Sequence, residues 1–127
     1  MRKITSTAQL QPQSTSRIFM IHPKRFSFNT ETADTNAFQG KAVDLHTLTE
    51  AALLAEEEFN LMIAQLTQVG VELYIQDESG DVETPDAVFS NNWISFHQSG
   101  KVVLYPMMAE NRRKERRMDV IDILRKD

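Results

Sequence analysis

Apolar residues fall along the chain in short runs between polar stretches, and the spacing within each run predicts its element. Ile18-Phe19-Met20-Ile21 is continuous and closed by Pro23, which suits a buried strand. Residues 24–44 are polar and long for a connection, but Phe26, Phe28 and Phe38 recur along them and predict a loop anchored to the core. Over about residues 49–69, Ala55, Phe59, Met62, Ile63, Leu66 and Val69 return at intervals of three and four, one face of an amphipathic helix. Glu56, Glu57 and Glu58 lie in its first half, where closeness to the helix N-terminus would favour them. Gly70 supplies a left-handed stop, and residues 71–75 then alternate as a strand does. Helix, glycine and strand in succession mark an α/β unit.

Residues 76–84 are acidic around Gly80 and read as an exposed loop. Ala87-Val88-Phe89 follows as a short apolar strand with Asp86 at its mouth. Residues 93–97 and 101–105 flank Ser99-Gly100 and predict a hairpin, which Pro106 closes. A last helix is expected over about residues 112–124, burying Met118, Ile121 and Leu124. Such a helix normally leads into another strand, so an end at this point reads as truncation; a small complete domain capped by the helix is the alternative. Residues 1–16, rich in Gln, Ser and Thr, read as a mobile tail, which leaves residues 17–127 as the folded part.

Composition narrows the function more than the fold. A length of 127 residues suits one domain. The net charge of −4 provides no field that would gather nucleic acid or an anionic membrane, and no apolar run is long enough to span a bilayer. The polar N-terminus lacks a secretory core, so a cytoplasmic location is the expectation. There is no cysteine, which removes disulfides, thiolate metal sites and thiolate nucleophiles from this chain. His22, His46 and His97 show no ligand spacing, so neither a metal nor another cofactor is expected.

Two polar clusters remain. In Thr84-Pro85-Asp86-Ala87-Val88-Phe89-Ser90-Asn91-Asn92-Trp93, a carboxylate precedes and two amides follow an apolar segment. Such groups can hold a planar, nitrogen-rich ligand, because a carboxylate accepts N–H bonds in its plane and an amide both donates and accepts. The same residues also serve as ordinary turn formers, and both readings stand at this point. Arg112-Arg113-Lys114-Glu115-Arg116-Arg117 holds five cations in six positions. It is a phosphate patch, a solvated helix face, or the place where one first-turn arginine forks onto a carboxylate.

The motifs together resemble a family. Phe19-Met20-Ile21-His22-Pro23, Phe28-Asn29-Thr30-Glu31-Thr32-Ala33 and Asn36-Ala37-Phe38-Gln39 are similar to the opening of citrulline-hydrolase and amidinotransferase-like proteins of the guanidino-modifying superfamily. Arginine deiminase and dimethylarginine hydrolase are relatives in that superfamily. Thr84 onward, Tyr105-Pro106-Met107, Asn111-Arg112-Arg113 and Glu115-Arg116-Arg117 continue the resemblance in order, from about residue 17 to the end. It implies a five-bladed α/β propeller, of which this chain supplies roughly the first two blades. It also implies covalent catalysis, in which a cysteine thiolate attacks the central carbon of a guanidinium or ureido group. A histidine moves protons, and a carboxylate supports that histidine. All three lie downstream of the matched stretch, so no catalytic residue is carried over.

Substrate-binding residues are carried over. The resemblance implies that Asp86 accepts hydrogen bonds from the substrate's terminal nitrogens and that Phe89 lies near its side chain. Arg112, or Arg113 if the alignment slips by one, would hold its amino-acid end. Asn91 and Asn92 stand where dimethylarginine hydrolases carry acids, which favours neutral citrulline over cationic arginine. His22 replaces an expected arginine. The implied activity is citrulline to ornithine, carbon dioxide and ammonia, with a small amino acid as the only ligand and no nucleic-acid or membrane partner. The alternative is a truncated, non-catalytic binding or assembly module. Unpaired blade edges would make an isolated piece self-associate.

Overall fold

A computed structural model describes residues 14–35, 45–78 and 83–125. Residues 1–13 of the expected tail, Phe38 and Gly80 lie outside the described residues.

Strand β1 (Arg17–His22) and strand β2 (Glu72–Asp77) pair in parallel, from Arg17 opposite Glu72 to His22 opposite Asp77. The Glu72 N–H donates to the Ser16 carbonyl at 2.8 Å and extends the ladder by one bond. Parallel neighbours need a long crossover, and helix α1 (Leu45–Gln68) lies on it. Gly70 ends the helix at φ +86°, a conformation that costs an L side chain but not glycine. Strands β3 (Ile94–Phe96) and β4 (Val102–Leu104) form the expected antiparallel hairpin, with Gly100 at φ +78° in its turn. Two short helices follow, α2 (Glu110–Arg113) and α3 (Met118–Leu124). The architecture is therefore mixed α/β, with one parallel and one antiparallel pair. Among the described residues these sheets do not close into a propeller.

The core lies where the hairpin meets the C-terminal helix. Trp93, Ile94, Met107 and Ile121 cluster there, with Phe19 from β1 and Val102 packed against them. Phe19 and Phe96 meet edge to face at 6.1 Å, which ties the parallel pair to the hairpin. Val120 is also fully buried.

Four expectations require correction. Residues 85–88 are turns and Ser90–Asn92 a 3₁₀ turn, so the segment after Asp86 is not a strand. The single helix over residues 112–124 is two helices, with Arg117 extended between them. Glu115 and Ile121 are both buried, yet six residues of continuous helix would set them about 120° apart, so the break lets both face inward. Met118 is 60 % exposed rather than buried. Glu78 and Thr84, assigned to an exposed loop, are buried.

Helix α1 matches its predicted face only in part. Phe59 is buried and Ala55, Ile63 and Leu66 are half-buried, but Met62 and Val69 are exposed, as are Leu53, Leu54 and Leu61. The glutamates at 56–58 fall mid-helix, beyond reach of the N-terminal dipole, and the first turn holds no acid. Among the described residues no helix is long and apolar enough to cross a membrane.

Candidate functional site

The segment carrying Asp86 winds with a period of three. Pro85 presets the turn, and the N–H groups of Ala87, Phe89, Asn92 and Trp93 each donate to the carbonyl three residues back, at 3.0–3.1 Å. This period sorts the side chains into rows. Ala87, Ser90 and Trp93 form the buried row. Asp86, Phe89 and Asn92 form another, and Arg112 lies along it. Its Nη1 donates to Asn92 Oδ1 at 3.0 Å, and its Nε is 3.7 Å from Asp86 Oδ2. Phe89 is partly exposed and meets Phe26 edge to face at 6.3 Å. Asn91 falls off this row and is exposed.

Short helix α2 positions Arg112, whose Nε and Nη2 fork onto Glu115 at 3.1 and 3.0 Å. The predicted first-turn fork is thus present, on a carboxylate of the same chain. Glu115 is almost fully buried, and burial pushes its carboxyl above the usual range. Arg112 opposes that shift, while Asp86 and Glu78 reinforce it through their charge. Two of the remaining cations are engaged within the chain, while Lys114 and Arg116 are exposed. Arg113 donates to the Met107 and Met108 carbonyls at 2.9 Å. Arg117 binds the Asp77 carbonyl and the Asp119 carboxylate, which it holds below its ordinary range.

A second layer stands behind Asp86. Asn29 is fully buried, and its Nδ2 donates to Asp86 Oδ2 at 2.7 Å. Its Oδ1 accepts from Asn111 Nδ2 at 2.7 Å and from the Glu31 N–H at 3.1 Å. Glu31 in turn accepts the Asn111 N–H at 3.0 Å. The sequence reading assigned no role to Asn29, Asn111 or Glu115. For Glu115 a signal was present: it is the lone acid in a basic run and stands three residues after Arg112.

Glu78 closes the acidic side of the cluster. Arg25 Nε reaches its Oε2 at 3.4 Å, its buried Oε1 has no hydrogen-bond partner among the described residues, and burial raises its carboxyl. A raised folded value means that the stabilising contribution is full below the ordinary value of 4.5 and lost as pH rises through the folded value. Glu78→Gln is therefore expected to raise the melting temperature at about pH 7 relative to that at about pH 4, compared with wild type. An unchanged difference in thermal melts would show that Glu78 carries no such penalty.

The histidines lie elsewhere. His22 packs edge to face on Phe59 at 5.1 Å, its Nε2 3.9 Å from Glu56 Oε1. His46 faces Glu50, and His97 the Ser95 hydroxyl. Among the described residues no group of three potential ligands gathers to hold a metal. An open groove of about 690 Å³ runs between Arg17, Phe19, Tyr74, Phe96 and His97. None of these is a predicted site residue, so the case for Asp86 rests on chemistry rather than on cavity size.

A buried aspartate backed by an amide, in an acid-rich cluster beside a partly exposed aromatic ring, suits the guanidino-modifying superfamily that the motifs resemble. The family model described as N,N dimethylarginine dimethylhydrolase, eukaryotic, matches residues 22–127. The chain belongs to that family. No curated protein and no solved structure matches the chain. The superfamily expectation is met; the narrower expectation of a citrulline hydrolase finds no support in this match.

Proposed function

We propose that this chain is the substrate-recognising portion of a hydrolase acting on the guanidino group of a methylated arginine. The observation that carries the reading is the charge balance around Asp86. Asp86 and Glu78 each lie within electrostatic reach of Glu115, and Arg25 and Arg112 are the cations paired with the three. Three acids against two cations favour a cationic guanidinium, and a neutral ureido group gains nothing from the difference. Asp86 accepts the guanidinium N–H groups, and the Phe89 ring lies against the ligand's apolar chain.

In the reaction, water replaces dimethylamine at the guanidino carbon. One C–N bond breaks, a C=O forms, and the products are citrulline and the free amine. The superfamily routes this through a cysteine thiolate, and the chain has no cysteine. The covalent step is therefore assigned to residues outside these 127. In this reading residues 17–127 form one domain, and the pair β1–β2 with α1 and the β3–β4 hairpin with α3 are parts of the first blades of a five-bladed propeller.

The citrulline preference drawn from Asn91 and Asn92 gains nothing from the geometry, since Asn92 Oδ1 is already held by Arg112 and Asn91 is exposed. Titration of the chain with dimethylarginine and with citrulline, followed by NMR, tests the proposal. Dimethylarginine is expected to bind at least about tenfold more tightly, as one net charge interaction would give. Equal or tighter binding of citrulline would overturn it.

A further inference from the structure

We propose that Asn29 is the positioning residue for Asp86: it fixes the carboxylate so that Oδ1 faces the ligand. The inference rests on the reading of Asp86 as the guanidinium acceptor. Among the described residues, both contacts to the Asp86 carboxylate fall on Oδ2, from Asn29 Nδ2 at 2.7 Å and Arg112 Nε at 3.7 Å. Oδ1 is then the oxygen that takes the substrate N–H.

Asn29 can hold that orientation because its own amide is fixed from behind. Two donors, Asn111 Nδ2 and the Glu31 N–H, converge on its Oδ1. A flipped amide would turn its NH₂ against those donors and its oxygen against a carboxylate, so only one orientation satisfies every group. The Asn29 carbonyl anchors the loop as well, accepting the Thr32 N–H at 3.3 Å. The buried Asn29 side chain thus touches both the turn before β3 and the start of α2. A neutral donor is suited to this position, because it orients the acid without cancelling the charge that the guanidinium reads.

Asn29→Asp separates the two roles of this side chain. The new carboxyl has the same shape and still accepts from Asn111 and Glu31, but when ionised it cannot donate to Asp86. When protonated it can, through its O–H, and two carboxylates in contact do share a proton. The added charge attracts a guanidinium, but repulsion between the two carboxylates turns Asp86 off its aim. Dimethylarginine affinity of N29D is expected to fall about tenfold or more below wild type near pH 8, as for loss of one hydrogen bond to a charged group. The deficit should shrink towards parity as pH falls to about 5, where the shared proton is present. Unchanged affinity, or a deficit that does not vary with pH, would leave Asn29 a purely structural residue and overturn the proposal.

If N29D does not fold, the wild-type chain supplies the readout. The Asn29 side-chain amide signals should shift on titration with dimethylarginine, with the same midpoint as the Phe89 ring. Signals that stay still while the Phe89 ring responds would overturn the positioning role alone. A wild-type chain that binds no guanidino compound would overturn the underlying reading of Asp86, and this inference with it.

Discussion

Arg112→Ala is expected to destabilise the chain by about 3–5 kcal/mol at neutral pH, the cost of breaking a buried pair on one side. The guanidinium is mostly buried and serves three acceptors: Glu115 through a fork, Asn92 through Nη1, and Asp86 at longer range. Without it, Glu115 is left as a buried carboxylate whose value burial already raises. The loss should therefore depend on pH. Below the ordinary value of 4.5 Glu115 is protonated in both states and the deficit is smallest; it grows as pH rises through the higher folded value. Arg112→Lys should recover only part of the loss, because a single ammonium cannot reproduce the fork. Urea denaturation at acid and neutral pH reads both effects, and an alanine variant as stable as wild type would show that the fork contributes nothing.

The second large effect is expected at Trp93. It is the single tryptophan and is 1 % exposed at the centre of the core cluster. Trp93→Ala should cost about 3–5 kcal/mol through lost transfer energy and an unfilled cavity. That is a large part of the whole stability of a typical domain, so cooperative unfolding should be weakened or lost. The substitution also removes the fluorescent reporter, so far-UV circular dichroism is the suitable probe. Cooperative melting at the wild-type midpoint would place the core elsewhere.

What the sequence shows depends on how local the cause is. The β1 run, the helix stopped by Gly70, and the hairpin turned at Gly100 are set by apolar spacing and by glycines with positive φ, and all appear in the fold. The winding of residues 84–93 was not read, because a period of three resembles neither template when Ala87-Val88-Phe89 looks like a strand. Its rows follow from the shared burial of Ala87, Ser90 and Trp93. The break between α2 and α3 was hidden for a different reason. It is caused by Glu115 and Ile121 both facing the interior, a tertiary demand that overrides a sequence of good helix formers.

The candidate site was legible in the same partial way. Asp86 stood out by type and setting, and Arg112 by its place in a first turn. Asn29 precedes Asp86 by 57 positions and meets it only through the fold, so no spacing rule could pair them. The amides at 91 and 92 are adjacent in sequence but differ in setting. A winding backbone gives Asn92 to Arg112 and leaves Asn91 exposed.

The central claim is that the Asp86 carboxylate recognises a guanidinium, and calorimetric titration of dimethylarginine into wild type and Asp86→Asn tests it most directly. The substitution keeps the shape and removes the charge, and the account predicts an affinity at least about thirtyfold lower, in line with the loss of one partner in a buried charge pair. Equal affinity of the two proteins, with the wild type binding, would contradict the account and move recognition away from Asp86.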